Sequence, residues 1–376
     1  MSSMASPTAW LEIDLDAIAH NISVIQKNIR PETRLMLVLK GDAYGHGITE
    51  VASVAASCGV DTFAVITLEE GMKIRQASVR GTILLLGTVE LSGVFCETLL
   101  KEHLEPTVSS EEEARFLQKF CSDRNIVLPV HLKFDTGLSR LGVLWTEAIA
   151  LAHTISESSH LCLASVYSHL AGYENDIVDR QIVRFHSVLD VIHSEGIFVP
   201  AVHLIKSVLL FRRPDLHFDQ VRIGLALYGA LIVDDDTSTE LFRPAMSLKT
   251  KIVHIKTIPQ GEGVSYSPQW IAPKETKVGV LGIGYANGVH RMFSEKIKAI
   301  IAGQLAPQIG LVTMNHLMVD LSSVPHVAVG DTATLLGTVG NIQITINELA
   351  EAINTNPREI LCLLGNSNPR IFQSTL

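Results

Sequence analysis

From Leu35 onward, short apolar runs alternate with stretches whose apolar residues recur at helical spacing. The runs are Leu35–Leu39, Thr62–Ile66, Thr82–Leu86, Leu104–Val108, Pro129–Phe134, Leu161–Tyr167, Pro200–Ile205 and Asp219–Ile223, each bounded by turn residues and so read as a buried strand. Between them, Thr49–Cys58, a stretch through Phe95 and Leu99, and Asp176–His193 carry helical patterns. Thr67 with Glu70, and Ser110 with Glu113, have the spacing of capping boxes that open two more helices. Eight strands alternating with helices predict an α/β fold, a parallel (β/α)8 TIM-type barrel. A doubly wound open sheet is the competing architecture, and it usually has fewer strands.

The rhythm changes after Val233. Asp234–Thr239 is a polar linker, and beyond it Val253–Lys256 alternates with period two. Strand-like pieces follow at Lys277–Ile283, Ile297–Ala302, Gly310–Leu321 and Thr332–Leu336. One helix interrupts them, with Thr345 and Glu348 as its capping box and Ile346, Leu349, Ala350 and Ile353 as its inner face. The expected division is a barrel over 10–236 and a mostly β domain over 240–376, with the N-terminal strand near 10–14 available to pack on the second domain.

Composition narrows the function classes. A chain of 376 residues with 47% hydrophobic and 18% charged residues has the makings of a large core. A net charge of −9 with scattered lysines and arginines leaves no basic footprint for nucleic acid. No stretch approaches the roughly 20 apolar residues of a membrane span, and the N-terminus has neither a basic start nor an apolar h-region. Five widely spaced cysteines fit reduced thiols in a cytoplasm rather than a zinc site or a disulfide framework. A cytoplasmic protein with no membrane partner is expected.

In a barrel, chemistry collects where strands end. Strand one ends in Lys40, followed by the glycine-punctuated Gly41-Asp42-Ala43-Tyr44-Gly45-His46-Gly47; strand five leads to Asp135 and Arg140, and strand six to His169. Strand seven supplies Lys206 and Ser207, and strand eight Arg222 with Gly224 and Leu225. The loops after strands seven and eight are where such barrels often hold a phosphate, and a serine hydroxyl with glycine backbone N–H groups suits that task. Tyr44 adds a phenol. A lysine for Schiff-base chemistry, a phosphate cradle and an arginine together describe a pyridoxal 5'-phosphate site. Arg222 is the partner for the pyridine nitrogen, and a residue that never gives up its proton leaves that nitrogen largely unprotonated. Each residue also has a plain structural reading: a solvent-facing strand-end lysine, a salt-bridged barrel arginine, a satisfied core histidine. Their joint placement favours the cofactor.

WLEIDLDAIAHN, LKGDAYGHG, HLKFDTGLSRLG, VYSHLAG, VRIGLALYG, GEGVSYS, GIGYANG and TMNHLMVD resemble, in order and nearly end to end, the motifs of the alanine racemase family. The resemblance implies a PLP-dependent isomerase of fold type III that interconverts L-alanine and D-alanine and supplies D-alanine for peptidoglycan. It implies a homodimer with shared active sites. By the match, Lys40 takes the α-proton of the D-isomer and Tyr266, from the partner's second domain, serves the L-isomer. Racemisation needs acid–base groups on both faces of the Cα. Tyr44, His169, Ser207, Arg222, Gly224, Leu225 and Asn366 fall on cofactor-binding positions. Arg140 and Met314 fall on substrate-binding positions, and Lys133 matches a lysine that is carbamylated in some relatives.

The sequence also departs from the family. Leu311 stands for an arginine, Asn315 and Asn287 for aspartates, Gly41 for the usual alanine, and Asn366 for a tyrosine beside the phosphate and substrate. A shorter side chain at 366 enlarges the pocket, so serine or broader-specificity racemisation is the alternative function, and a catalytically weak PLP-binding relative is another. A PLP-dependent decarboxylase of the same barrel type would bring a carboxylate to the pyridine nitrogen, where Arg222 stands here. A non-catalytic PLP carrier would lack the second domain.

Overall fold

The computed structural model describes residues 7–230 and 241–374; the linker Asp234–Thr239 and the boundary at 236–240 lie outside the described residues. Strand β1 (Ala9–Asp14) leads into helix α1 (Leu15–Lys27), whose N-terminus is capped by Asp14. Eight parallel strands follow: β2 (Arg34–Val38), β3 (Thr62–Val65), β4 (Thr82–Leu85), β5 (Glu105–Val108), β6 (Leu128–Asp135), β7 (Leu161–Tyr167), β8 (Val202–Lys206) and β9 (Gln220–Ile223). Neighbours pair in sequence order, β9 pairs with β2, and β5 pairs with β6. The sheet is therefore a closed (β/α)8 barrel and not the open alternative.

Around it run α2 (Ile48–Ser57), α3 (Leu68–Gln76), α4 (Gly93–Lys101), α5 (Glu111–Ser122), α6 (Ala148–Ser156) and α7 (Asn175–Ser194). The Thr67–Glu70 capping box forms reciprocally. The Ser110–Glu113 box forms only in half. Ser110 accepts from Glu113 N–H, but the Glu113 carboxylate turns instead to the N–H and hydroxyl of Ser109 and to Val89 N–H. Those donors sit on neighbouring turns that the linear spacing cannot reveal.

The second domain is built on a long strand, β10 (Met246–Ile258), with β11 (Thr276–Leu281), β12 (Lys298–Ile301), β13 (Gln304–Ile309), β14 (Leu317–Asp320), β15 (Thr332–Val339) and β16 (Ile342–Ile344). Helices α8 (Ile346–Ala352) and α9 (Pro357–Ser367) precede the last strand, β17 (Arg370–Gln373). β1 lies in this sheet, antiparallel to β10 and parallel to β17. Gly310–Leu321 is not one strand. Gly310 takes φ 67° and the Thr313 and Met314 carbonyls accept from Tyr285 and Ala286 N–H, so only Leu317–Asp320 joins the ladder. Among the described residues the two largest apolar cores lie between barrel and helices and inside the β domain.

Candidate active site

Period-two alternation decides what faces the barrel axis. In β2, Leu35, Leu37 and Leu39 pack outward on the helices, whereas Met36 and Val38 join Ala64, Leu84 and Tyr167 in a small inner cluster. Lys40, two residues past Val38, continues the inner set. In β6 the outward set is Leu128, Val130, Leu132 and Phe134, leaving buried His131, Lys133 and Asp135 for the interior. Arg222 lies likewise between outward Val221 and Ile223.

After Lys40 the backbone turns left-handed, with φ 66° at Gly41, 54° at Asp42, 56° at Ala43 and 53° at Tyr44. Such a conformation disfavours non-glycine residues by roughly 1–2 kcal/mol each, so the surroundings must hold it. The Glu70 carboxylate accepts from Gly41 N–H at 2.6 Å. Asp42 pairs with Arg370 at 2.7 Å and caps Ile48 N–H at 3.0 Å. Arg370 also donates to the carbonyls of Gly45 and Gly365. Helix α9 presses so closely on this turn that a Cβ on Gly365 would stand 2.2 Å from the Gly45 Cα.

The turn buries Tyr44 and carries its phenol to Gly224, where a Cβ would come within 2.6 Å of the Tyr44 hydroxyl oxygen. Gly224 N–H donates to Ser207 Oγ at 3.1 Å, and Leu225 opens a short 3-10 turn to Tyr228. The ends of β2, β8 and β9 thus converge on one small polar cradle.

Cations crowd the mouth. Burial pushes the Lys40 amine below its ordinary value, helped by Arg140 and Arg358 and opposed by Glu70 and Cys362. Lys133 falls to about 8, first by burial and then through Arg222, Arg140 and Lys40. His169 is pushed well below the usual imidazole range by burial and by Arg222. Arg140 is exposed at the end of a loop ordered by Asp135, whose carboxylate accepts from the N–H groups of Gly137, Leu138 and Ser139. Arg222 is buried; Nη1 and Nη2 donate to the carbonyls of His203, Ser168 and Leu204 and to Nδ1 of His203, with His169 Nδ1 at 3.5 Å. Among the described residues its Nε–H has no acceptor. The mouth suits an anionic ligand.

Lys40, Tyr44, Lys133, Arg140, His169, Ser207, Arg222, Gly224 and Leu225 therefore share one site. Asn366 sits exposed in the last turn of α9, on the helix that covers the Lys40 turn. Tyr266 and Met314 do not join them within one chain. Tyr266 is 73% exposed on the β domain, and the cavity it lines, about 380 Å³, is shared with Lys256, Thr313, His316 and Met318. Ser265 (φ 71°) holds that loop by donating to the carbonyl of Leu311, so the departure at 311 serves through its backbone. Glu70, Arg358 and Arg370 escaped sequence reasoning. Glu70 signalled only a helix cap, and the other two become relevant only when α9 and β17 fold back on the barrel.

A closed barrel with a lysine and a polar cradle at its mouth, followed by a β domain that displays an exposed phenol, defines a two-domain barrel protein. The alanine racemase N-terminal domain model matches residues 13–231 and the alanine racemase C-terminal domain model matches 245–372, and the chain belongs to the alanine racemase family. It is 38% identical to the alanine racemase of Nostoc sp. over 97% of this chain and 96% of that protein. It is 37% identical to that of Synechocystis sp. over 98% and 100%. Among solved structures, the alanine racemase of D-cycloserine-producing Streptomyces lavendulae superposes with a TM-score of 0.92 at 28% identity, covering 99% of each chain. That of Bacillus anthracis with bound L-Ala-P gives 0.89 at 29%, over 99% of this chain and 97% of that one.

Proposed function

We propose that the protein interconverts L-alanine and D-alanine with pyridoxal 5'-phosphate held on Lys40, in the cytoplasm, supplying D-alanine for peptidoglycan. The observation that carries this reading is the single mouth at which an inward, burial-depressed lysine, an anion cradle and a barrel arginine meet. The residues fit the cofactor. Ser207 and Tyr44 offer hydroxyls and Leu225 a backbone N–H beside Gly224, donors that a phosphate takes, and the uncommitted Nε–H of Arg222 suits a ring nitrogen. When bound, the cofactor supplies an electron sink that acidifies the α-proton of an amino acid.

The chain's own residues do the rest. Lys40, with its amine depressed, moves a proton on one face of the Cα. Arg140 orients the substrate carboxylate, and Met314 approaches substrate from the β domain. An amine held near 8 is roughly one-tenth uncharged at pH 7, far more than an ordinary lysine, which suits carbamylation of Lys133. Tyr266 serves the opposite face in a homodimer, where one subunit's β domain meets the other's barrel mouth. Its exposure in the single chain supports that assignment. A phenol titrates ordinarily at about 10, so the cations of the opposing mouth must ease its proton transfer.

The test is purified protein loaded with pyridoxal phosphate and assayed for D-alanine. Lys40→Ala loses both the bound-cofactor absorbance and turnover, whereas Tyr266→Phe keeps the absorbance and loses racemisation. Absorbance without racemisation in the wild type would overturn the reading in favour of a weak or non-catalytic relative. Exposed Asn366 favours a second, wider reading that includes serine, since an apolar pocket rejects an added hydroxyl by only about 10²-fold. Comparing kcat/KM for L-alanine and L-serine decides it; no serine turnover sinks the wider pocket.

A further inference from the structure

The interior of a (β/α)8 barrel is ordinarily filled by layers of apolar side chains. Here a polar column crosses it from one end to the other. Arg222 Nη1 donates to His203 Nδ1. His203 Nε2 lies 2.9 Å from Ser165 Oγ, and Ser165 Oγ lies 2.6 Å from His131 Nδ1. His131 Nε2 meets the Glu105 carboxylate at 2.8 Å. Each link passes to the neighbouring strand, from β9 through β8, β7 and β6 to β5. His203, Ser165 and His131 are 0%, 1% and 4% exposed. Glu105 opens β5, at the barrel end opposite Lys40, and its side chain is 20% exposed.

With both imidazoles neutral, the two ends fix the direction of every hydrogen bond. A guanidinium only donates and a carboxylate only accepts. His203 Nδ1 must therefore accept, its proton rests on Nε2, and that proton goes to Ser165. The Ser165 hydroxyl then donates to His131 Nδ1, and the His131 proton on Nε2 goes to Glu105. Nothing in the column is left unsatisfied, which is the condition for a polar network in a core. Tyr167 stacks on His203 at 4.6 Å and lies under the Arg222 guanidinium at 5.0 Å, so the rings cannot tilt freely. Burial and Arg222 hold His203 neutral, as an accepting Nδ1 requires.

We propose that Glu105, His131 and Ser165 are positioning residues: the column they form locks His203 in the tautomer that accepts from Arg222, and so fixes the guanidinium that the proposed function assigns to the cofactor ring. The proposal rests on the racemase reading of this mouth. It assigns a role to a carboxylate four links away from Arg222.

Nitrogen-15 NMR of histidine-labelled protein, first free of cofactor and then loaded, reads the column directly, with His131→Gln and His203→Asn assigning the signals. Both rings are expected neutral with the proton on Nε2. A proton on Nδ1 of either ring, or an imidazolium, overturns the column. Glu105→Leu is expected to spread the His131 proton over both nitrogens, whereas Glu105→Gln, which keeps an acceptor, restores the Nε2 form; an unchanged His131 signal in Glu105→Leu overturns the role of Glu105. In the loaded enzyme, Ser165→Ala should lower kcat about ten-fold with little change in KM, within what small misplacement of a reacting group costs. Ser165→Thr, which keeps the hydroxyl, should recover most of that loss. Wild-type kcat in Ser165→Ala overturns the positioning role. Failure of the wild type to racemise alanine instead overturns the function, while the tautomers of the cofactor-free chain are read independently of it.

Discussion

Glu70 accepts a hydrogen bond from the backbone N–H of Gly41 at 2.6 Å, on the residue directly after Lys40, while the same side chain closes the capping box of α3. One carboxylate thus ties a helix start to a left-handed turn that has little intrinsic stability. Glu70→Ala should destabilise the fold by about 1–3 kcal/mol, the cost of leaving such donors without their charged acceptor. It should also lower the Lys40 amine further, because Glu70 raises it. Urea unfolding and the pH dependence of Lys40 chemical modification in cofactor-free protein measure the two effects. An unchanged urea midpoint would show that the turn holds itself.

Gly224→Ala tests the cradle. The added Cβ would stand 2.6 Å from the Tyr44 hydroxyl oxygen, and Tyr44 is packed against Tyr228 with ring centroids 5.1 Å apart. The phenol must move away, and overpacking of this kind typically costs about 1–3 kcal/mol. Titration with pyridoxal phosphate should show affinity weakened by about ten-fold or more, the equivalent of roughly 1.4 kcal/mol. Wild-type affinity would mean that Tyr44 is not part of the phosphate site.

Lys133 gives a pH dependence with a definite sign. Its amine is lowered from 10.5 to about 8 in the fold, so between those values the unfolded chain binds the extra proton and stability rises with pH. Below about 8 the charged amine is buried among cations and disfavours the fold. In cofactor-free protein kept free of carbon dioxide, Lys133→Gln should therefore unfold at higher denaturant than the wild type below about pH 8. That advantage should shrink as pH climbs from about 8 towards 10.5. A pH-independent difference between the two proteins contradicts a depressed lysine.

Arg370→Ala tests the tie between β17 and the Lys40 turn. Arg370 pairs with Asp42 at 2.7 Å, their side chains only 20% and 26% exposed, and donates to two backbone carbonyls as well. Truncation leaves Asp42 partly buried without its cation, and a loss of about 1.5–3 kcal/mol follows for charged hydrogen bonds of this kind. Cofactor affinity should weaken too, because the turn carries both Lys40 and Tyr44. Calorimetry and cofactor titration on the same variant separate stability from binding, and unchanged values in both would show the ion pair to be incidental.

Much of the molecule was legible in the chain itself. The apolar rhythm from Leu35 to Ile223 prescribed alternating strands and helices, because a strand buried on both faces must be almost wholly apolar and a helix only on one side. The strand ends marked Lys40, Arg140, His169, Ser207 and Arg222 as residues of the barrel mouth, whereas Lys133 drew attention only through the family resemblance. Thr67 with Glu70 and Thr345 with Glu348 announced helix starts, since a cap is a contact over three residues. What the chain could not disclose is whatever spans distant segments. Glu113 abandoned its expected cap for Ser109 and Val89, and Gly310–His316 left the ladder to receive the loop at Tyr285. The clamp of Glu70 and Arg370 on the left-handed turn, and the column from Arg222 to Glu105, also belong to tertiary structure alone. Barrel closure and the return of α9 and β17 bring those groups within hydrogen-bond reach. The directional demands of buried donors and acceptors then fix which partners they take.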